Sequence, residues 1–249
     1  MQINFMYHDI YKSDPKESGF CRERDFPYKL SLHTFKEHVK AISEYCLQYN
    51  IAKESVVFTF DDGGCSFYYL IADVLEEFGY KGHFYITTKY IGTNGFLNAK
   101  EIKYLEERGH IIGSHAHSHD HLYKLTNEQV AQEWKDSVSI LSEILGHPVI
   151  EASIPNGDVS DIVLKYAHDN GLREVYTSCP TIKVSRYQEM SLHGRYVVLF
   201  DTSTEFLLSI IGSSFSRMKL MLKWRIIYYI KKILGDKYIQ LKNMVYRNK

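Results

Sequence analysis

Two groups of residues in this 249-residue chain have the types and spacing for metal-assisted chemistry. Ser114-His115-Ala116-His117-Ser118-His119-Asp120-His121 carries four histidines within seven residues. Imidazoles four residues apart can reach one ion from a single face of a helical turn. A carboxylate from a neighbouring strand then completes a three-ligand site whose fourth position is left to water, as in catalytic zinc centres. His115 with His119 has this spacing, and so does His117 with His121, so spacing alone does not choose between the pairs. The carboxylates are at hand in Asp61-Asp62, which follow the run Val56-Val57-Phe58-Thr59-Phe60 and precede Gly63-Gly64.

The elements around these residues alternate. Val56 to Phe60 is β-branched and aromatic throughout, the signature of a buried strand, and it delivers both aspartates at its carboxyl end, where parallel α/β folds collect their chemistry. Adjacent strand residues point to opposite faces, so both aspartates reach one site only if the chain turns there, and Gly63-Gly64 permits the turn. Ile3 to Tyr7 predicts a first strand ending at His8-Asp9. Residues 11–30 have no clean period and suggest a long surface loop. Apolar residues at three- and four-residue spacing over 32–49 predict an amphipathic helix with Ser31 as N-cap. Asn98 caps the helix closed by Gly109, Thr126-Asn127-Glu128-Gln129 resembles a capping box, and 160–170 is the next helix. Strands are expected at 82–87, 110–113, 149–154, 174–177 and 196–200. Such repeated β-then-α units give a parallel sheet, open or closed into a barrel.

With 45% hydrophobic residues the chain can build a sizeable core. Formal net charge is zero, but residues 215–249 carry +9 and residues 1–214 carry −9. This division gives a domain at 1–214 and a basic, apolar helical tail at 215–249, which either packs over the domain or makes peripheral contact with an anionic membrane. Nucleic acid is not an expected partner. Cys21, Cys46, Cys65 and Cys179 form no Cys-x-x-Cys pair, the amino terminus lacks the pattern of a secretory signal, and no run of eighteen apolar residues occurs, so the expected location is cytoplasmic, with membrane association only where the tail takes the second of its two roles.

Thr59-Phe60-Asp61-Asp62-Gly63, together with Gly109-His110-Ile111-Ile112-Gly113-Ser114-His115 and Ser118-His119, resembles the first two motifs of the NodB-homology polysaccharide deacetylases, carbohydrate esterases that remove N-acetyl groups. Order and spacing agree from about Ile3 to about Phe200. The resemblance implies a distorted, seven-stranded (β/α) barrel with a C-terminal helical tail. It also implies that Asp62, His115 and His119 bind one divalent metal, with zinc the expected ion, and that Asp61 is the general base.

The third motif departs from the family. Ser153-Ile154-Pro155-Asn156-Gly157 keeps one proline and the glycine but lacks the arginine that usually braces the catalytic aspartate. Pro155 and the backbone N–H of Asn156 remain candidates for substrate and oxyanion contacts. The late Leu192-His193 resembles the motif whose imidazole protonates the leaving amine, making His193 the candidate acid. Arg195 resembles the arginine-bearing strand of divergent members and is placed with the substrate-contacting residues, as are His8 and Asp9. The expected activity is metal-dependent hydrolysis of an N-acetyl group on a sugar of a glycan or glycan precursor. Two alternatives stand beside it: a deacylase of a lipid-linked sugar or non-sugar amide, and an inactive, metal-holding glycan-binding domain.

Overall fold

A computed structural model describes residues 1–234. The chain enters through β1 (Ile3–Tyr7) and forms a short parallel pair, β2 (Ile10–Tyr11) with β3 (Leu30–Ser31), which pins both ends of the 12–29 loop. In α1 (Leu32–Gln48) the Ser31 hydroxyl accepts the Thr34 N–H, satisfying one of the orphan donors of a helix start. Then follow β4 (Val56–Phe60), a π-helical turn over Phe67–Ile71, α2 (Ala72–Glu77), β5 (Gly82–Ile86), α3 (Ala99–Glu107), β6 (Ile111–Ser114), α4 (Asn127–Leu145), β7 (Glu151–Ser153), α5 (Asp161–Asp169) and β8 (Glu174–Tyr176). The stretch without a clear pattern after β8 is an antiparallel hairpin, β9 (Ser185–Tyr187) and β10 (Met190–His193). The last elements are β11 (Tyr196–Val197), α6 (Thr204–Gly212) and α7 (Ser214–Leu234). The remainder of the expected basic tail, 235–249, lies outside the described residues.

The strand order is β11-β1-β4-β5-β6-β7-β8-β10-β9, and every pairing is parallel except β9 with β10. The ladder is open at its two ends, but β10 and β11 are almost continuous in sequence. β10 pairs with β8 and β11 pairs with β1, so one kinked stretch, 190–197, bridges the two sides of the sheet. Counted as one strand, with β9 outside as the antiparallel partner of β10, it makes seven strands around a distorted, incompletely closed barrel. The kink is at Gly194, where a Cβ would stand 2.4 Å from the Cys179 carbonyl oxygen and 2.5 Å from that of Thr181. Only glycine lets the two backbones approach this closely.

Alternation along the strands separates two environments. From β4, Phe58 and Phe60 point outward into an aromatic core with Tyr7, Phe35, Phe67 and Phe84. Burying each such ring is worth roughly 1.5–3 kcal/mol. A second apolar cluster, including Val130 and Trp134 of α4 and Val163 of α5, packs beneath β7 and β8. The inward face carries the polar groups. Thr59 donates to the Phe5 carbonyl, and Asp61 continues the same face into the carboxyl-end mouth. α7 meets the domain through Leu220 and through Arg217, whose Nη1 donates to the Ile210 and Ile211 carbonyls at the end of α6.

Candidate functional site

Asp61 and Asp62 reach the same mouth by different means. Asp61 follows the inward face of β4, whereas Asp62 would face outward if the strand continued. Its backbone instead takes φ 85° and that of Gly63 φ 90°, which swings the Asp62 carboxylate inward. Gly64 has a separate duty, since a Cβ there would lie 1.9 Å from Asp9 Oδ1.

The histidines arrive on a loop, not on the helical turn expected from their spacing. After β6, left-handed residues at Ala116 (φ 57°) and His119 (φ 64°) fold 115–119 back on itself and bring the two imidazoles together. Glu133 of α4 holds this loop by accepting the N–H groups of His117 and Ser118 at 2.9 and 2.8 Å. His117 is turned to Thr88 and His121 to Asp158, so the geometry selects His115 with His119.

Asp62, His115 and His119 each present a ligand atom within 4.8 Å of the others. Asp62 Oδ1 is 3.5 Å from His115 Nε2 and 3.2 Å from His119 Nε2. Two donors each about 2.1 Å from a tetrahedral ion stand roughly 3.4 Å apart, so these separations fit a shared divalent cation. Asp62 Oδ1 is also buried without a hydrogen bond, as an atom awaiting a cation would be. His115 Nδ1 lies 3.1 Å from the Ser153 carbonyl oxygen; a proton there fixes the tautomer and frees Nε2 as a donor.

Charge is distributed accordingly. Burial pushes the His115 imidazole down to about 4, so it is a neutral donor at pH 7. For Asp62, burial favours the acid form, but the His119 imidazole beside it outweighs that and holds the carboxyl well below the usual range. His119 is raised by the same contact against its own desolvation. Asp61 is buried too, and the charge of the Arg195 guanidinium overcomes that penalty to keep it ionised.

The brace absent from the third motif is supplied by Arg195. Its Nη1 and Nη2 donate to Asp61 Oδ1 and Oδ2 at 2.6 and 2.8 Å, and its Nη1 also donates to Thr59 Oγ1. Arg195 is fully buried, so its structural position is that of a brace on Asp61 and not of a substrate or oxyanion contact. Ser153, which no sequence signal marked for a role, donates to Asp61 Oδ1 at 3.0 Å and touches His115 Nδ1 at 2.5 Å, tying base candidate to ligand candidate.

Other expected residues are placed differently. His193 is paired with Glu174 at 2.5 Å and stacked on Tyr176, and none of its contacts is with the triad or Asp61. The pairing of β10 with β8 sets that orientation. Asp9 is buried and accepts from Ser18 and Ser66 at 2.6 and 2.9 Å, so it anchors the 12–29 loop instead of facing substrate. His8 does stand at the mouth, near both Asp61 and Asp62, and its ring packs on Tyr28 at 4.6 Å. Pro155 is buried, and Asn156, left-handed at φ 57°, reaches the His119 carbonyl with Nδ2 at 3.4 Å. The 12–29 loop, read from sequence as surface only, contributes Phe20 against His119 and Tyr28 against His8. No local pattern announces either contact, because both depend on where Asp9 ties the loop.

A family model described as polysaccharide deacetylase matches residues 48–175. The chain is 28% identical over 131 residues to a peptidoglycan-N-acetylglucosamine deacetylase of Bacillus cereus, an overlap that covers 52% of this chain and 46% of the relative. It is 34% identical over 91 residues to a chitin deacetylase of Arthroderma benhamiae, covering 36% of this chain and 24% of that one. The chain therefore spans about half or less of the length of these curated relatives. Among solved structures, a Streptococcus pyogenes deacetylase in complex with acetate superposes with TM-score 0.69 at 22% identity, over 85% of this chain and 98% of that one. A polysaccharide deacetylase from Bacillus cereus gives TM-score 0.69 at 23% identity, over 84% and 68%. These two structures share the fold.

Proposed function

Because the chain belongs to the polysaccharide deacetylase family, we propose that it hydrolyses an N-acetyl group on a sugar of a glycan or glycan precursor. The observation that carries this reading is the ion-sized Asp62/His115/His119 cluster beside a braced, ionised Asp61. A divalent ion bound to that cluster lowers the pKa of water toward ~7 and polarises an amide carbonyl. Two imidazoles and one carboxylate suit zinc, the proposed metal.

The protein's own side chains supply the remainder. Asp61, charged and aimed into the mouth, takes the proton of the attacking water. Arg195 and Ser153 fix the direction of its carboxylate, and Ser153 also sets the ring of His115. The Asn156 backbone N–H is the proposed oxyanion donor. The departing amine needs a proton, and His8, beside both aspartates, is better situated to supply it than His193, which is committed to Glu174. Relatives named for peptidoglycan N-acetylglucosamine and for chitin support a substrate carrying N-acetylated sugars. The alternative of an inactive binding domain rests on the altered third motif, and Arg195 supplies the arginine brace that this motif lacks.

The test is acetate release from N-acetylated oligosaccharides by the zinc-loaded protein. Asp61→Asn should lower the rate by about 10²–10⁴ while metal content stays at one ion per chain. Equal activity in Asp61→Asn would remove the proposed base, and full metal occupancy in His115→Ala would remove the proposed centre.

A further inference from the structure

The outer face of α7 has no counterpart in the catalytic reading. At 100° per residue, Phe215, Met218, Leu222, Ile226 and Tyr229 fall within an arc of about 80° on this helix. All five are 55–67% exposed, although residues of these types are normally shielded when a helix packs on its own domain. The domain-side contacts are made elsewhere on the helix, by Leu220 and Arg217. A row of large exposed apolar side chains on a helix attached to a well-packed core marks a surface that something else covers.

The flanking charges identify the occupant. Lys219 and Lys223 border the stripe on one side and Arg225 on the other, and α7 holds no acidic residue. Cationic edges along an apolar stripe fit a planar anionic surface, with the stripe among acyl chains and the ammonium and guanidinium groups among headgroup phosphates. A second copy of the same helix would set basic edge against basic edge. No helix of the described residues is long and apolar enough to cross a bilayer, so α7 would lie on the surface. We infer that α7 is a membrane-docking helix that seats the protein on anionic lipid through Phe215, Met218, Leu222, Ile226 and Tyr229, with Lys219, Lys223 and Arg225 at the headgroups.

The contact is separate from the metal site, so its test does not depend on the activity. The full chain is sedimented with phosphatidylcholine vesicles containing about one third phosphatidylglycerol, and with vesicles of phosphatidylcholine alone, at low and high salt. Binding to the anionic vesicles, weakened at least tenfold by salt or by removal of phosphatidylglycerol, is the expected result. Leu222→Glu/Ile226→Glu and, separately, Lys219→Glu/Lys223→Glu should each reduce it at least tenfold, with thermal midpoint and metal content unchanged because these side chains are exposed. Failure to bind anionic vesicles at low salt overturns the inference, as does binding that neither double variant alters. A concentration-dependent dimer abolished by Leu222→Glu/Ile226→Glu, without vesicle binding, would assign the face to a second copy of the chain instead.

Discussion

Arg195 grips Asp61 through two parallel hydrogen bonds, of 2.6 and 2.8 Å, across 134 residues of sequence. Both groups are buried, so the pair must satisfy itself, and the planar guanidinium matches the carboxylate in a way a lysine ammonium cannot. Arg195→Met would leave Asp61 as an uncompensated buried charge and should cost about 3–5 kcal/mol of stability, read from denaturant unfolding. Arg195→Lys should fold but turn over more slowly. Losing the tight pair lets the Asp61 pKa rise, so the acidic limb of the pH–rate profile should move to higher pH while metal content is unchanged. An unmoved acidic limb would separate Arg195 from the proposed base.

Gly194 sets where Arg195 can be. A methyl group at this position would overlap the carbonyl oxygens of Cys179 and Thr181, which cannot withdraw without disturbing the β8–β10 junction. Gly194→Ala should therefore destabilise by about 1–3 kcal/mol and lower kcat more than it raises KM. A variant with wild-type unfolding and kcat would mean that the kink has slack the distances do not suggest.

Metal loading should release protons in mildly acidic solution. His119 is raised above its ordinary value by Asp62, so near pH 6 much of it is protonated in the metal-free protein, and the proton must leave before its nitrogen can bind an ion. Zinc affinity should fall as the pH drops below that raised value. Calorimetric titration near pH 6, repeated in buffers of different ionisation enthalpy, should reveal a proton released per ion bound. Chelation should lower the melting temperature, and buffer-independent binding heats would rule out His119 as a ligand that sheds a proton.

His110 should make the fold acid-sensitive away from the mouth. Burial lowers it to about 4, and in the neutral form its Nδ1 accepts the Gly82 N–H at the start of β5. A depressed folded-state pKa means the unfolded chain binds the proton first. The contribution is complete above pH 6.5 and is lost as the pH falls toward 4. His110→Gln, which keeps an acceptor without the titration, should flatten stability across this window in urea unfolding at stepped pH. Identical pH slopes for the two proteins would contradict the assignment.

Local chemistry made much of this architecture legible in the sequence. Ser31, Asn98 and Thr126 are the N-caps of α1, α3 and α4, because capping is a contact between residues two or three apart. The strand ending in Asp61-Asp62 and the histidine-rich segment were readable for the same reason. The hairpin 185–193 was not, since β9 is an exposed three-residue edge strand and the four-residue β10 beside it is buried to half-buried throughout, so neither carries a periodic signal.

By itself the sequence determined that two aspartates and several histidines stand at strand ends of a β/α fold, because residue type and spacing dictate local backbone and which way a strand points. Spacing left two histidine pairs open, the motif resemblance implied His115 and His119, and the tertiary structure brings those two, and not His117 and His121, to Asp62. It also decided that Asp9 and His193 serve other contacts and that Arg195 replaces the missing brace. Those outcomes depend on left-handed turns at Asp62, Ala116 and His119 and on the Gly194 kink between β8 and β1. A side chain's partner is set by the path of the whole chain around the barrel, and no window of neighbouring residues contains that path.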